Sequence, residues 1–191
     1  MVTAALVLVI TLYNHTAKRV PVLGAACMGL CRGLSFLVGA SLLGWGGISG
    51  PAVVVGVLLL TVFIAWVTHI AADETHDTYR LGSVRWGPGV SLGGCYILIY
   101  FAVPSIPGPW LALSICFSLA ATGWEFYCGG ILKPDTPAPV VQRTIGRFLR
   151  GLLLIQASFV ALVGFPMGVT ALLFLVAWPI SQNLAKRFYA S

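Results

Sequence analysis

The residues able to do chemistry concentrate in one stretch, Thr68 to Gly82, THIAADETHDTYRLG. Three of the chain's five acidic residues are here, Asp73, Glu74 and Asp77, with two of its three histidines, His69 and His76. On a continuing helix His69, Asp73 and Asp77 fall at i, i+4 and i+8 and share one face, with His76 close to the same side. Two carboxylates one turn apart suit a hard divalent ion. Mg²⁺ favours one or two carboxylates together with retained waters and phosphate oxygens. The same text also admits a transition-metal site built from His69, Asp73, His76 and Asp77, or simply a solvated acidic loop between two spans. Carboxylates at a helix C-terminus face the negative end of its dipole and call for a counter-charge. Arg80, Arg85 or a bound cation can supply it.

The elements that position this stretch are apolar. Hydrophobic residues make up 59% of the 191 and charged residues 8%, where a soluble domain carries about 25% charged residues. Mean hydropathy is +0.96. Several continuous apolar runs of about 20 residues predict an all-α, polytopic transmembrane helical bundle, a single domain over residues 1–191. Because the runs are continuous rather than alternating, a β-barrel is disfavoured. The net charge of +6 is spread along the chain instead of gathered into one patch, so it reads as a topology signal and no nucleic-acid partner is expected.

In order, the hydrophobic segments are Met1 to Tyr13, Val20 to Gly44, Pro51 to Ala72, Val90 to Val103, Trp110 to Cys128, Gly151 to Phe165 and Gly168 to Ala185, about seven in all. The first is too short to span comfortably and reads as a chain that begins inside a helix. The second is rich in Gly, Ala, Cys and Ser, as where helices approach closely, and carries Arg32 near its middle. Glu125 lies near the end of the fifth. The connection after it holds Pro134, Pro137 and Pro139, which keep its first half non-helical, then Arg143, Arg147 and Arg150, spaced 4 and 3 apart as a basic stripe on one helical face. Cys27, Cys31, Cys95, Cys116 and Cys128 lack zinc-finger spacing and read as small buried residues.

Ten of the eleven basic residues fall in alternate connections: Lys18 and Arg19; Arg80 and Arg85; Lys133, Arg143, Arg147 and Arg150; Lys186 and Arg187. The intervening turns carry none. By the positive-inside rule the N-terminus is outside, and the C-terminus and the acidic stretch are cytoplasmic, in a membrane read as a bacterial inner membrane. Tyr13, Asn14, Lys18 and Arg19 then share a side with Asp73, Glu74, Asp77 and Arg80, with Arg32 placed to line a cavity between them. Metal-binding carboxylates beside several cations and an apolar bundle suit a diphosphate carrying a lipid tail: metal and cations stabilise the leaving diphosphate, and the bundle holds the chain.

These residues carry a resemblance. Tyr13-x4-Lys18-Arg19, an apolar span with Gly24, Gly29, Arg32 and Gly33, and a second span ending Asp73-x3-Asp77 with Arg80 and Gly82 beyond resemble the UbiA superfamily of intramembrane prenyltransferases. MGLCRGLSFLVGAS is closest to its EboC-like branch. The resemblance implies a UbiA-like helical bundle, Mg²⁺ held by Asp73, Glu74 and Asp77, and Asp73 and Asp77 as catalytic residues. It further implies a diphosphate bound by Tyr13, Asn14, Lys18, Arg19, Arg32 and Arg80, and transfer of a prenyl group to an aromatic or lipid acceptor. The chain departs from the family in three respects. It has no first aspartate-rich motif, its start corresponding to a point after it, as in the C-terminal two-thirds of a longer UbiA-like fold. The loop is one residue longer than Tyr-x3-Lys-Arg, and so is the spacing from Asp77 to Gly82. The alternative expectation is a non-catalytic membrane subunit that packs against a larger membrane-protein complex, with six Trp as interface anchors.

Overall fold

The computed structural model of the chain describes residues 1–41, 50–72, 82–102, 108–163 and 167–188. Helix α1 is Val2–His15, and a 3₁₀ turn at Ala17–Arg19 leads into α2, Pro21–Ser41. Then come α3, Pro51–Ala72, a second 3₁₀ turn at Gly82–Trp86, and α4, Gly87–Ala102. The remaining helices are α5, Gly108–Ile131, α6, Ala138–Leu162, α7, Met167–Thr170, and α8, Leu173–Phe188. The described residues thus form an all-α bundle. Four of its helices, α2, α3, α5 and α6, are long and apolar enough to cross a membrane. The chain is a polytopic integral membrane protein.

Proline punctuates the helix starts. Pro21 and Pro51 are the first residues of α2 and α3, and Pro88, Pro109 and Pro139 are the second residues of α4, α5 and α6. At these positions the missing N–H costs no helical hydrogen bond, and the fixed φ favours the helix. Between α5 and α6 the chain turns at Asp135, at φ 66°, a left-handed conformation that Asp tolerates better than most residues. The backbone N–H and the hydroxyl of Thr136 both donate to the Lys133 carbonyl, at 3.1 and 2.7 Å.

Consecutive helices pack antiparallel, and glycines set the distances. Gly29 of α2 lies against the Thr61 carbonyl and Ala65 of α3, and Gly33 against Thr61 and Val57. As α2 advances, α3 recedes. The Gly29-x3-Gly33 pair is therefore a small-xxx-small contact surface. The Trp66 indole of α3 rests on Gly87 at the start of α4. Phe126 of α5 covers Gly89 of α4, and Phe159 near the end of α6 packs on Gly56 near the start of α3. α3 and α6 form the middle of the core, where Phe63 and Phe148 are fully buried.

Several expected boundaries move. The sixth helix begins at Ala138, ahead of the apolar span expected from Gly151, so the helical Arg143–Arg150 stripe and that span are one continuous helix. Val141, Thr144, Phe148 and Gly151 are buried at helical spacing, while Arg143 is exposed and Arg147 and Arg150 are half-buried on the adjacent side. The seventh segment is interrupted: α7 has four residues and α8 carries Pro179 inside it. α1, with 14 residues, reaches about 21 Å, against the roughly 30 Å hydrocarbon core of a bilayer. Of the cysteines, Cys27 and Cys128 are buried, Cys31 and Cys95 are half-buried, and Cys116, expected to be buried, is exposed.

Candidate functional site

The first site-bearing region is the end of the bundle where α1 ends and α2 begins. Tyr13 is half-buried and Asn14 exposed in the last turn of α1, and Lys18 and Arg19 are exposed in the 3₁₀ turn. That turn is anchored by Ala17, which is fully buried with its carbonyl against Gly24. Continuing the Gly29–Thr61 and Gly33–Val57 register brings Pro21 to the last turn of α3. Lys18 and Arg19 therefore belong to the same end of the bundle as Ala72, the residue from which the chain runs on to Asp73.

Asp73, Glu74, His76, Asp77 and Arg80 lie outside the described residues. His69, in the last turn of α3, is half-buried, and its Nδ1 is buried with no hydrogen-bond partner among the described residues. Arg32 is exposed on α2 rather than enclosed between α2 and α3, because Gly29 and Gly33 occupy the facing side. Among the described residues no group of three His, Cys, Asp or Glu could hold a metal ion. The donors expected for Mg²⁺ are Asp73, Glu74 and Asp77. Their all-oxygen chemistry fits that ion.

Arg85 works at the same end. Its Nη1 donates to the Leu132 carbonyl at 2.6 Å, just past the last residue of α5. Its guanidinium carbon lies 4.9 Å from the centre of the Trp86 ring. A cation on the C-terminal carbonyls complements the helix dipole. Gly129 receives both the Arg85 carbonyl and the Trp86 ring, so the second 3₁₀ turn is docked on the end of α5.

A second polar constellation runs through the bundle. The Tyr96 hydroxyl of α4 and the Ser158 hydroxyl of α6 are 2.8 Å apart, and the Ser158 hydroxyl donates to the Ile155 carbonyl at 2.7 Å. Ser114 of α5 donates to the Ser158 carbonyl at 2.9 Å. The Tyr100 hydroxyl lies 3.0 Å from Ser114 Oγ and donates to Ser118 Oγ at 2.9 Å. Three helices are tied by hydroxyls in surroundings where backbone groups have few other partners.

Closer to the basic end, Trp124 of α5 donates from its indole N–H to the Arg147 carbonyl at 2.9 Å. Next to it, Glu125 is fully buried. Neither carboxyl oxygen has a hydrogen-bond partner among the described residues, and the group sits directly against Gly151 of α6. The sequence offered one clue to Glu125, a lone acid in an apolar helix, which is a functional candidate by default. Nothing in the local text shows which face of α5 it takes. No protein-family model, no curated protein and no solved structure matches the chain.

Proposed function

We propose that the chain is a UbiA-like intramembrane prenyltransferase, or a remnant of one, working at the basic end of its bundle. The α2–α3 register is the observation that supports this reading. It brings Lys18 and Arg19, distant in sequence from the acidic stretch, to the end of α3 that leads into Asp73. In this reading Asp73, Glu74 and Asp77 hold Mg²⁺, which when bound neutralises charge on a leaving diphosphate. Lys18, Arg19 and Arg80 engage the diphosphate oxygens. Tyr13 and Asn14, on the last turn of α1, orient the same group, while Arg32, exposed on α2 eleven residues past Pro21, stands apart from this end. The apolar helices hold the prenyl tail beside an aromatic or lipid acceptor. The basic end faces the cytoplasm of a bacterial inner membrane, by the bias of Lys and Arg.

The test is equilibrium binding of farnesyl diphosphate to the full chain in nanodiscs. Binding is expected to require Mg²⁺ and to fall at least about tenfold in Asp73→Asn and Asp77→Asn, the loss of roughly one charge-assisted contact. Binding that ignores both Mg²⁺ and the aspartates contradicts the reading.

α1 favours a second reading. None of its residues is buried, and Val7, Leu8 and Leu12 stand 58%, 68% and 45% exposed. A non-catalytic subunit would set such a helix against a larger membrane complex. Native mass spectrometry from the source membrane separates the two: a persistent large partner supports the subunit, and a lone chain that binds prenyl diphosphate supports the enzyme.

A further inference from the structure

Glu125 is the one fully buried acid among the described residues, and both of its oxygens lack a partner. A carboxylate in an apolar seam is very costly unless it is protonated or paired. With no donor on either oxygen among the described residues, the ionised form is the costlier one in this seam.

The same seam holds the partner that a carboxylate would need. Arg150 precedes Gly151, the residue on which the carboxyl rests, and Arg150 Nε is itself buried with no hydrogen-bond partner among the described residues. A carboxyl without a donor and an arginine Nε without an acceptor thus lie on neighbouring helices among the described residues, about one residue apart in register. Gly151 makes this approach feasible, because a Cβ there would overlap Glu125 Oε1. The other titratable groups around the carboxyl are Tyr96 from α4 and Cys128 one turn along α5. Arg147 of α6 lies one turn before Arg150, and Arg85 lies on the docked 3₁₀ turn. Tyr96 is committed to Ser158, and an Arg85 nitrogen to Leu132. Glu125 lies six residues before Ile131, the end of α5, which is about 9 Å at helical rise.

We propose that Glu125 is a reversible proton-binding site inside the membrane. It holds the proton as a neutral carboxyl against Gly151. When it releases that proton toward the basic end, it turns to pair with Arg150. The site takes up and gives back one proton, with no other reactant. This proposal is independent of the prenyltransferase reading.

The probe is dicyclohexylcarbodiimide on the full chain in phosphatidylcholine vesicles, mapped by peptide mass spectrometry. The acid's O–H adds across the carbodiimide C=N bond, its proton going to nitrogen, and the acyl group then migrates to give a stable N-acylurea. Only a protonated carboxyl reached from the apolar phase reacts this way. Wild type is expected to carry the adduct on the α5 peptide, with a rate falling about tenfold per pH unit above its midpoint. Glu125→Gln should lose the adduct. Arg150→Gln, lacking the counter-charge, should keep labelling to a pH higher by about one unit or more. The wild-type pH series needs no variant to fold. A rate that does not change with pH, or no adduct on Glu125, overturns the proton site. An unshifted Arg150→Gln profile overturns the pairing with Arg150.

Discussion

Gly151 of α6 and Glu125 of α5 meet so closely that a single added Cβ would fall on the carboxyl oxygen. The α5–α6 seam is therefore shaped around one acid, with the Trp124 indole bonded to the Arg147 carbonyl beside it. Gly151→Ala should destabilise the folded protein by about 1–3 kcal/mol through overpacking. Glu125→Ala in the same chain should recover much of that loss. Thermal unfolding of the two single variants and the double variant measures the coupling. Additive effects would mean that the two residues do not meet.

The α2–α3 contact makes a sharper demand. A Cβ on Gly29 would strike the Thr61 carbonyl, and one on Gly33 the Thr61 hydroxyl, whereas Gly39 has nothing within 4 Å. Gly29→Leu is expected to cost at least about 2 kcal/mol or to abolish folding, because the obstacle is backbone. Gly39→Ala should be neutral or slightly stabilising, since alanine is the better helix former by about 1 kcal/mol. Unfolding midpoints in one detergent compare the two directly.

Arg85→Ala removes the guanidinium from the Leu132 carbonyl and from the face of Trp86. Together these contacts should be worth about 1–2 kcal/mol. Arg85→Lys keeps the charge and loses the planar stacking, so it should fall between. Hydrogen exchange at residues 129–132 is the local readout, and faster exchange in Arg85→Ala is expected.

Tyr96→Phe and Ser158→Ala each break one link of the hydroxyl chain. Hydrogen bonds between membrane helices average about 0.6 kcal/mol, so each variant should lose about that much, and the double variant less than the sum. A loss of several kcal/mol would mean that the hydroxyls hold the fold rather than tune it.

The helices were legible in the sequence because the apolar runs are long and unbroken, and because proline opens five of them. The start of α6 was not. The spacing of Arg143, Arg147 and Arg150 marks one helical face, but their charge set these turns apart from the apolar span after Gly151, although Val141, Thr144, Phe148 and Gly151 form a buried stripe on the adjacent side of the same helix. Arg32 was expected to line a cavity, yet it is exposed. The glycines on either side of it, Gly29 and Gly33, serve close packing on Thr61. Glu125 was visible as a lone acid, but its burial depends on a glycine 26 positions later on another helix, which no local pattern reveals. The acidic stretch that first suggested chemistry, Asp73 to Asp77, lies outside the described residues, so its chemistry rests on its text.

The central claim is that the dispersed basic residues share one end of the bundle and hence one side of the membrane. Single cysteines at Lys18, Lys133 and Arg143, in a background with the native cysteines replaced, test it most directly. A membrane-impermeant maleimide applied to sealed vesicles of known orientation should label all three from the cytoplasmic face, and a cysteine at Gly108 from the opposite face. Labelling of Lys18→Cys and Lys133→Cys from opposite faces would contradict the account.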